Sequence, residues 1–267
     1  MSVKQIAFRM DDVGAASKQH EVYGKTRVQL GNWRIPFPGN FLWVKYLKPF
    51  RQWGPYAELS VDQWGKLLAL CERIQLKLTI GITAGWVEKN GSVTAFPTRY
   101  PEQAKMIKTG LKMGCFEVAN HGYTHCVLNN CDFRPKYFSS NRQWHREFWE
   151  WVPLEVQRSH IEMAQTILQD YFEDEVVTFI PPGNVFTNET LKAASEYGLK
   201  YVSCQRLKSD TDTTLIPIPD QNVFAFHDKE VQELGIQWLE DQCQQRQPCE
   251  FVFIKQIGKD ISSTALS

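Results

Sequence analysis

The chain has 267 residues, and 43% of them are hydrophobic, enough to build a core for one large domain or two small ones. Lys and Arg total 30 and Asp and Glu total 30, so the formal net charge is zero and the basic excess of a nucleic-acid-binding protein is missing. No window carries the roughly 18 apolar residues that span a bilayer, and Met1 to Ile6 shows no secretory signal. The seven cysteines are odd in number and form no Cys-x-x-Cys, so a cytoplasmic protein with reduced thiols is expected.

Val3 to Met10 is mostly apolar and predicts a first strand, ending in Asp11-Asp12. Adjacent carboxylates there read either as a solvated turn before Gly14 or as functional groups, because isolated buried charge is costly. Lys18 to Ala57 has no clear period and is rich in aromatics, Pro and Gly, including Trp33, Trp43, Trp53 and Tyr56. It is expected to be a long irregular insertion, serving either as a lid or cleft wall or as a packed flap. Ser60 with Gln63 fits a capping box opening a helix to Gln75, with Trp64, Leu67, Leu68 and Cys71 at helical spacing. Leu76 to Ala84 predicts a strand. Pro101 to Met113 predicts a helix closed by Gly114.

Cys115 to Ala119 predicts a strand that delivers His121 and His125, two of only six histidines in the chain. Two imidazoles four residues apart can converge on one metal ion, although two do not complete a site. Cys126 and Cys131 lie close enough in sequence to raise a mixed Cys/His site, with a looser gap than a zinc ribbon uses. A second irregular insertion runs from 126 to 152. Helices are expected over Pro153–Asp170, Thr187–Tyr197 and Glu230–Gln244. Strands are expected over Glu175–Ile180, Lys200–Cys204, Val223–Phe226 and Glu250–Ile254, and Lys259 to Ser267 reads as a frayed polar tail. His160 falls mid-helix and reads as a surface or packing residue.

This alternation predicts an α/β fold with a parallel sheet, as a single domain over 1–267. The unusual polar groups share one position: Asp11-Asp12, His121 and His125, Pro181-Pro182-Gly183 and His227-Asp228 each follow a strand. In α/β barrels the active site collects at the C-terminal ends of the strands. A catalytic zinc site wants about three protein ligands plus water. His121, His125 and one of the two aspartates supply that set, the other aspartate can act as base, and His227 can act as acid. The constellation suits hydrolysis of an amide or ester.

The ordered motifs Arg9-Met10-Asp11-Asp12-Val13, His121-Gly122-Tyr123-Thr124-His125, Ile180-Pro181-Pro182-Gly183 and Ala225-Phe226-His227 resemble those of the polysaccharide deacetylases of carbohydrate esterase family 4. The resemblance implies a distorted (β/α) barrel of seven strands and metal-dependent removal of acetyl from an N-acetylated sugar. Carried over by position, it makes Asp11 the base and Asp12, His121 and His125 the metal ligands, with zinc the expected ion. His227 becomes the acid, and the Gly183 N–H, with Pro182 and Tyr123 beside it, faces the oxyanion and substrate. The family arginine that orients the base is Ile180 here, with Arg9 a possible substitute. Asp210, Asp212 and Asp228 are candidates to tune His227. Gly122 in place of the family's hydroxyl residue reads as a minor change.

The function expected is deacetylation of an amino sugar or sugar conjugate in cell-surface glycan biosynthesis, on a small-molecule or lipid-linked substrate, with no nucleic-acid partner. A small ureide or cyclic imide as the amide substrate, or a non-catalytic glycan-binding barrel, are the alternatives.

Overall fold

The computed structural model of the protein describes residues 3–88, 90–126, 146–205, 207 and 213–265. Eight strands form one parallel sheet: β1 (Gln5–Val13), β2 (Leu78–Ile82), β3 (Phe116–Asn120), β4 (Thr178–Phe179), β5 (Tyr201–Val202), β6 (Ile216–Pro217), β7 (Val223–His227) and β8 (Glu250–Val252). Seven run in the order β6-β5-β4-β3-β2-β1-β7 and curl into a partial barrel, and β8 pairs with the foot of β1. The parallel sheet is the one that the alternating pattern predicts, and the distorted (β/α) barrel is the one that the family resemblance implies. β6 is a strand that the sequence reading passed over.

Most strand residues are buried on both faces, as helix-covered parallel sheets require. Helix α1 (Val61–Ile74) opens on a complete Ser60/Gln63 capping box and buries Trp64, Leu67, Leu68, Leu70 and Cys71. Each such apolar side chain adds about 1.5–3 kcal/mol by leaving water. Helices α2 (Pro101–Lys112), α3 (Leu154–Phe172) and α4 (Asn188–Glu196) follow the expected spans within one or two residues.

Three expectations are corrected. The helix expected over Glu230–Gln244 is two helices, α5 (Asp228–Leu234) and α6 (Ile236–Gln244), because Gly235 takes φ 81° between them. The expected frayed tail is helix α7 (Ile254–Ala265), held by Ile254 and Ile257 against Tyr201, Val177 and Val252. The insertion over Lys18–Ala57 is structured: Tyr23–Gly24 pairs with Arg51–Trp53, and Arg27–Leu30 forms a hairpin with Trp33–Pro36. Within the second insertion, 127–145 lies outside the described residues, and with it Cys131.

Candidate active site

β1 continues past Met10 to Val13, so Asp11 and Asp12 lie inside the strand rather than in a turn after it. Successive residues of a regular strand face opposite sides. Here the register with β2 shifts between Met10 and Val13, and Asp12 takes φ 70°. The resulting bulge re-aims one side chain, so that both carboxylates line the same cavity.

That cavity measures about 180 Å³ and is walled by Asp11, Asp12, His121, His125 and His227 together with Glu21, Tyr23, Trp53, Arg146, Pro181, Gly183 and Asn184. It is smaller than the roughly 300–1,000 Å³ of a typical ligand pocket, a size that suits an acyl group better than a whole glycan.

Asp12 Oδ1 stands 3.2 Å from Nε2 of both His121 and His125. His121 Nδ1 donates to the Ile180 carbonyl at 2.7 Å, which turns Nε2 toward the carboxylate. Neither ring nitrogen of His125 makes a hydrogen bond among the described residues, although the ring is buried. Buried nitrogen and carboxylate oxygen atoms that converge in this way fit a cation, and the three ligand atoms lie within 4.8 Å of one another. A two-His, one-carboxylate set suits a catalytic metal site. Burial pushes the Asp12 carboxyl up, but His125, His121 and His227 outweigh it and hold it well below the usual range. Tyr56 donates its hydroxyl to Asp12 Oδ2 at 2.9 Å. Burial and the Asp12 carboxylate push that phenol far above its ordinary value, so it stays a donor.

Asp11 is oriented without the arginine expected at 180. Arg9, two residues earlier and on the same face of β1, donates from Nη2 to Asp11 Oδ2 at 2.8 Å, and its Nη1 bonds the carbonyl and hydroxyl of Ser203. Ile180 is fully buried. Asp11 Oδ1 is left buried with no hydrogen-bond partner among the described residues. Across the sheet, Asp11 and His227 are register partners of β1 and β7. Burial pushes the His227 imidazole down, but the Glu230 hydrogen bond and the Asp12 and Asp11 carboxylates outweigh it and raise it to about 9. The Trp53 ring meets the His227 ring edge-on at 5.0 Å.

The structure thus brings Asp11, Asp12, His121, His125, Gly183 and His227 to one cavity. It places Pro182 and Tyr123 outside the lining. Pro182 lies under Gly122, and the Tyr123 ring turns away to pack on His160 at 5.4 Å. Asp228, a candidate tuner of His227, is instead fully buried and paired with Lys18, which also binds Glu58. Glu230 takes the tuning place, with Oε2 3.3 Å from His227 Nδ1. Asp210 and Asp212 lie outside the described residues. Cys126 gives its thiol to the Thr124 carbonyl and takes no part in the donor set.

Glu147 is the residue that the sequence reading missed entirely. Its buried carboxylate accepts from the backbone N–H groups of Tyr123, Thr124 and His125 at 2.8, 3.2 and 2.9 Å, and from His160 Nδ1 at 2.6 Å. It therefore ties down the turn that presents both histidines, and His160 supports it from α3. Gly122 is not a minor change: at φ 78°, a Cβ there would lie 2.1 Å from Glu147 Oε2. No local pattern announces Glu147, because its bonds are to backbone more than twenty residues away in sequence. Arg146 beside it pairs with Glu21 at 3.3 Å and packs over Gly183.

A curled parallel sheet with a histidine–carboxylate cluster near the C-terminal ends of its strands defines a distorted (β/α) barrel with a candidate metal site. The chain belongs to the polysaccharide deacetylase family, whose profile matches residues 54–202. Among solved structures it is similar to a Mycobacterium smegmatis protein described as a polysaccharide deacetylase (TM-score 0.51, 13% identity, 77% of this chain and 78% of that one). It is likewise similar to a family 4 acetyl xylan esterase from Clostridium thermocellum in complex with a cobalt ion (0.50, 12%, 95% and 90%). A 4-alpha-glucanotransferase from Thermococcus litoralis has the same level of likeness (0.51, 10%, 96% and 40%). At these identities the likeness shows the fold alone, and one fold hosts different chemistries. No curated protein sequence matches the chain.

Proposed function

We propose that the chain is a metal-dependent hydrolase that removes an N-acetyl group from an amino sugar or sugar conjugate, working as one barrel domain in cell-surface glycan assembly. The observation that carries this is the pairing of two functions in one cavity. A donor set of Asp12, His121 and His125 adjoins an aspartate with a free buried oxygen, Asp11, and an imidazole held protonated, His227.

Asp12, His121 and His125 would hold the ion, with zinc the best match to the donor chemistry. A divalent cation there supplies Lewis acidity and makes water easier to deprotonate. Asp11 Oδ1 accepts the proton of the attacking water while Arg9 pins Oδ2. His227 gives a proton to the departing nitrogen as the C–N bond breaks, yielding acetate and a free amine. The Gly183 backbone N–H, in the cavity wall beneath Arg146, would donate to the developing oxyanion. Trp53 and Tyr23, stacked on each other with centroids 6.3 Å apart, add aromatic surface to the cavity wall, which suits a sugar ring.

The experiment is metal content of the purified protein, measured together with acetate release from a panel of N-acetylated sugar nucleotides and lipid-linked N-acetylhexosamines, and with substrate consumption for small ureides. Zinc near one per chain and acetate from the sugar arm support the reading. Turnover confined to ureides, or no zinc affinity and no acetate, removes it. The non-catalytic alternative drew on the missing arginine at 180, and Arg9 on Asp11 takes that support away.

A further inference from the structure

The segment between Glu21 and Glu58 carries no Asp or Glu, yet it holds Lys25, Arg27, Arg34, Lys45, Lys48 and Arg51, in a chain whose formal net charge is zero. The hairpin inside it is amphipathic by register. Val28 faces Ile35 and Leu30 faces Trp33, so all four apolar side chains lie on one face. Arg27, Gln29, Arg34 and Pro36 lie on the other. A two-stranded ribbon has no second layer to cover its apolar face. Here Trp33 is 77% exposed, Leu30 70% and Ile35 42%. The tip at Gly31 stands clear, because a Cβ built there would meet nothing within 4 Å. The rest of the segment adds exposed Trp43 at 60% and Phe41 at 49%. The cations Arg27, Arg34 and Lys48 of the same segment are exposed as well.

Exposed Trp, Leu and Ile beside the turn of the hairpin, in a segment that carries cations and not a single acid, match the chemistry of a membrane interface. Apolar groups enter the headgroup–acyl boundary, Trp settles at headgroup depth, and Arg and Lys meet anionic headgroups. A soluble acidic partner would leave the apolar face without a role. A second copy of a neutral chain would not call for a one-sign charge field.

We propose that the Arg27–Pro36 hairpin docks the protein onto an anionic lipid surface. Tyr23 and Trp53 at the base of the same segment line the catalytic cavity, so docking would bring that cavity to substrate carried by the membrane. Docking stands apart from the deacetylase reading; delivery of a lipid-linked sugar rests on it.

The test is flotation of the full chain with vesicles of phosphatidylcholine alone and of phosphatidylcholine with phosphatidylglycerol, at low and high salt. It is run beside acetate release from a water-soluble N-acetyl substrate and a measurement of mass in solution. The expected result is binding to the anionic vesicles only, reversed by salt. Each of Arg27→Gln and Arg34→Gln should weaken it by roughly fivefold, and Leu30→Ser with Trp33→Ser by about tenfold or more. Soluble-substrate turnover should be unchanged in the Leu30/Trp33 variant, which also shows that it folds. Equal binding to neutral vesicles, no vesicle binding, or a dimer that the Leu30/Trp33 variant dissociates overturns the proposal. Vesicle binding without acetate release would leave docking standing and remove the deacetylase reading alone.

Discussion

Arg9 reaches Asp11 from two positions earlier on the same strand, with Nη2 2.8 Å from Oδ2. Asp11 is thereby held by its own strand, while position 180, just after the strand three places away in the sheet, is left to an apolar side chain. Arg9→Lys is expected to keep metal content and the fold but lower kcat by about 10²-fold. A point charge cannot bridge Asp11 and Ser203 as the guanidinium fork does, and a misplaced base costs that much. Steady-state kinetics on the metal-loaded variant read the effect, with KM little changed.

Asp11 and Asp12 are neighbours with opposite consequences. Asp12→Ala is expected to lose bound metal. Asp11→Asn should retain it and lose about 10²–10⁴-fold in turnover, the usual contribution of a general base. Metal analysis beside acetate release separates the two, and near-full activity in Asp11→Asn would overturn the assignment of the base.

Tyr56→Phe removes the hydroxyl that orients Asp12. Partners of this kind typically set metal affinity by 10–100-fold. A competition titration with a chelator should show a loss in that range, with little loss of melting temperature because the ring still fills its place.

His227 is raised to about 9 although burial pushes it down. A bound cation offsets the Asp12 field, which leaves Glu230 as the principal carboxylate favouring the protonated ring. Removing a negative partner lowers an imidazole pKa. For Glu230→Gln the alkaline limb of the rate profile should therefore move to lower pH, while the acid limb, which reports the base, stays in place. An unmoved alkaline limb would show that another group titrates there.

Gly122→Ser installs a hydroxyl residue in the turn between the two histidines. The φ of 78° and the Glu147 carboxylate in the way make it costly, on the order of 1–3 kcal/mol. Calorimetry should show melting lowered by several degrees, and metal affinity should fall as the histidine turn is displaced.

By itself the sequence determined the alternation of buried strands and helices, the capped start of α1 and the strand-end positions of Asp11, Asp12, His121, His125 and His227. These are local matters: hydrophobic period, capping residues and breakers record which faces are buried, and residue type records which groups can ligate or titrate. What only the tertiary structure decided lies in contacts between residues far apart in the chain. The bulge that turns Asp12 beside Asp11 depends on register with β2. The pairing of Asp11 with His227 depends on register with β7. Tyr56 and Glu147 act through hydrogen bonds to residues more than twenty positions away, which leave no period to read. Arg9 could be named as a substitute for the arginine absent at 180, but only the shared face of β1 and the apolar packing of Ile180 settled where its guanidinium goes.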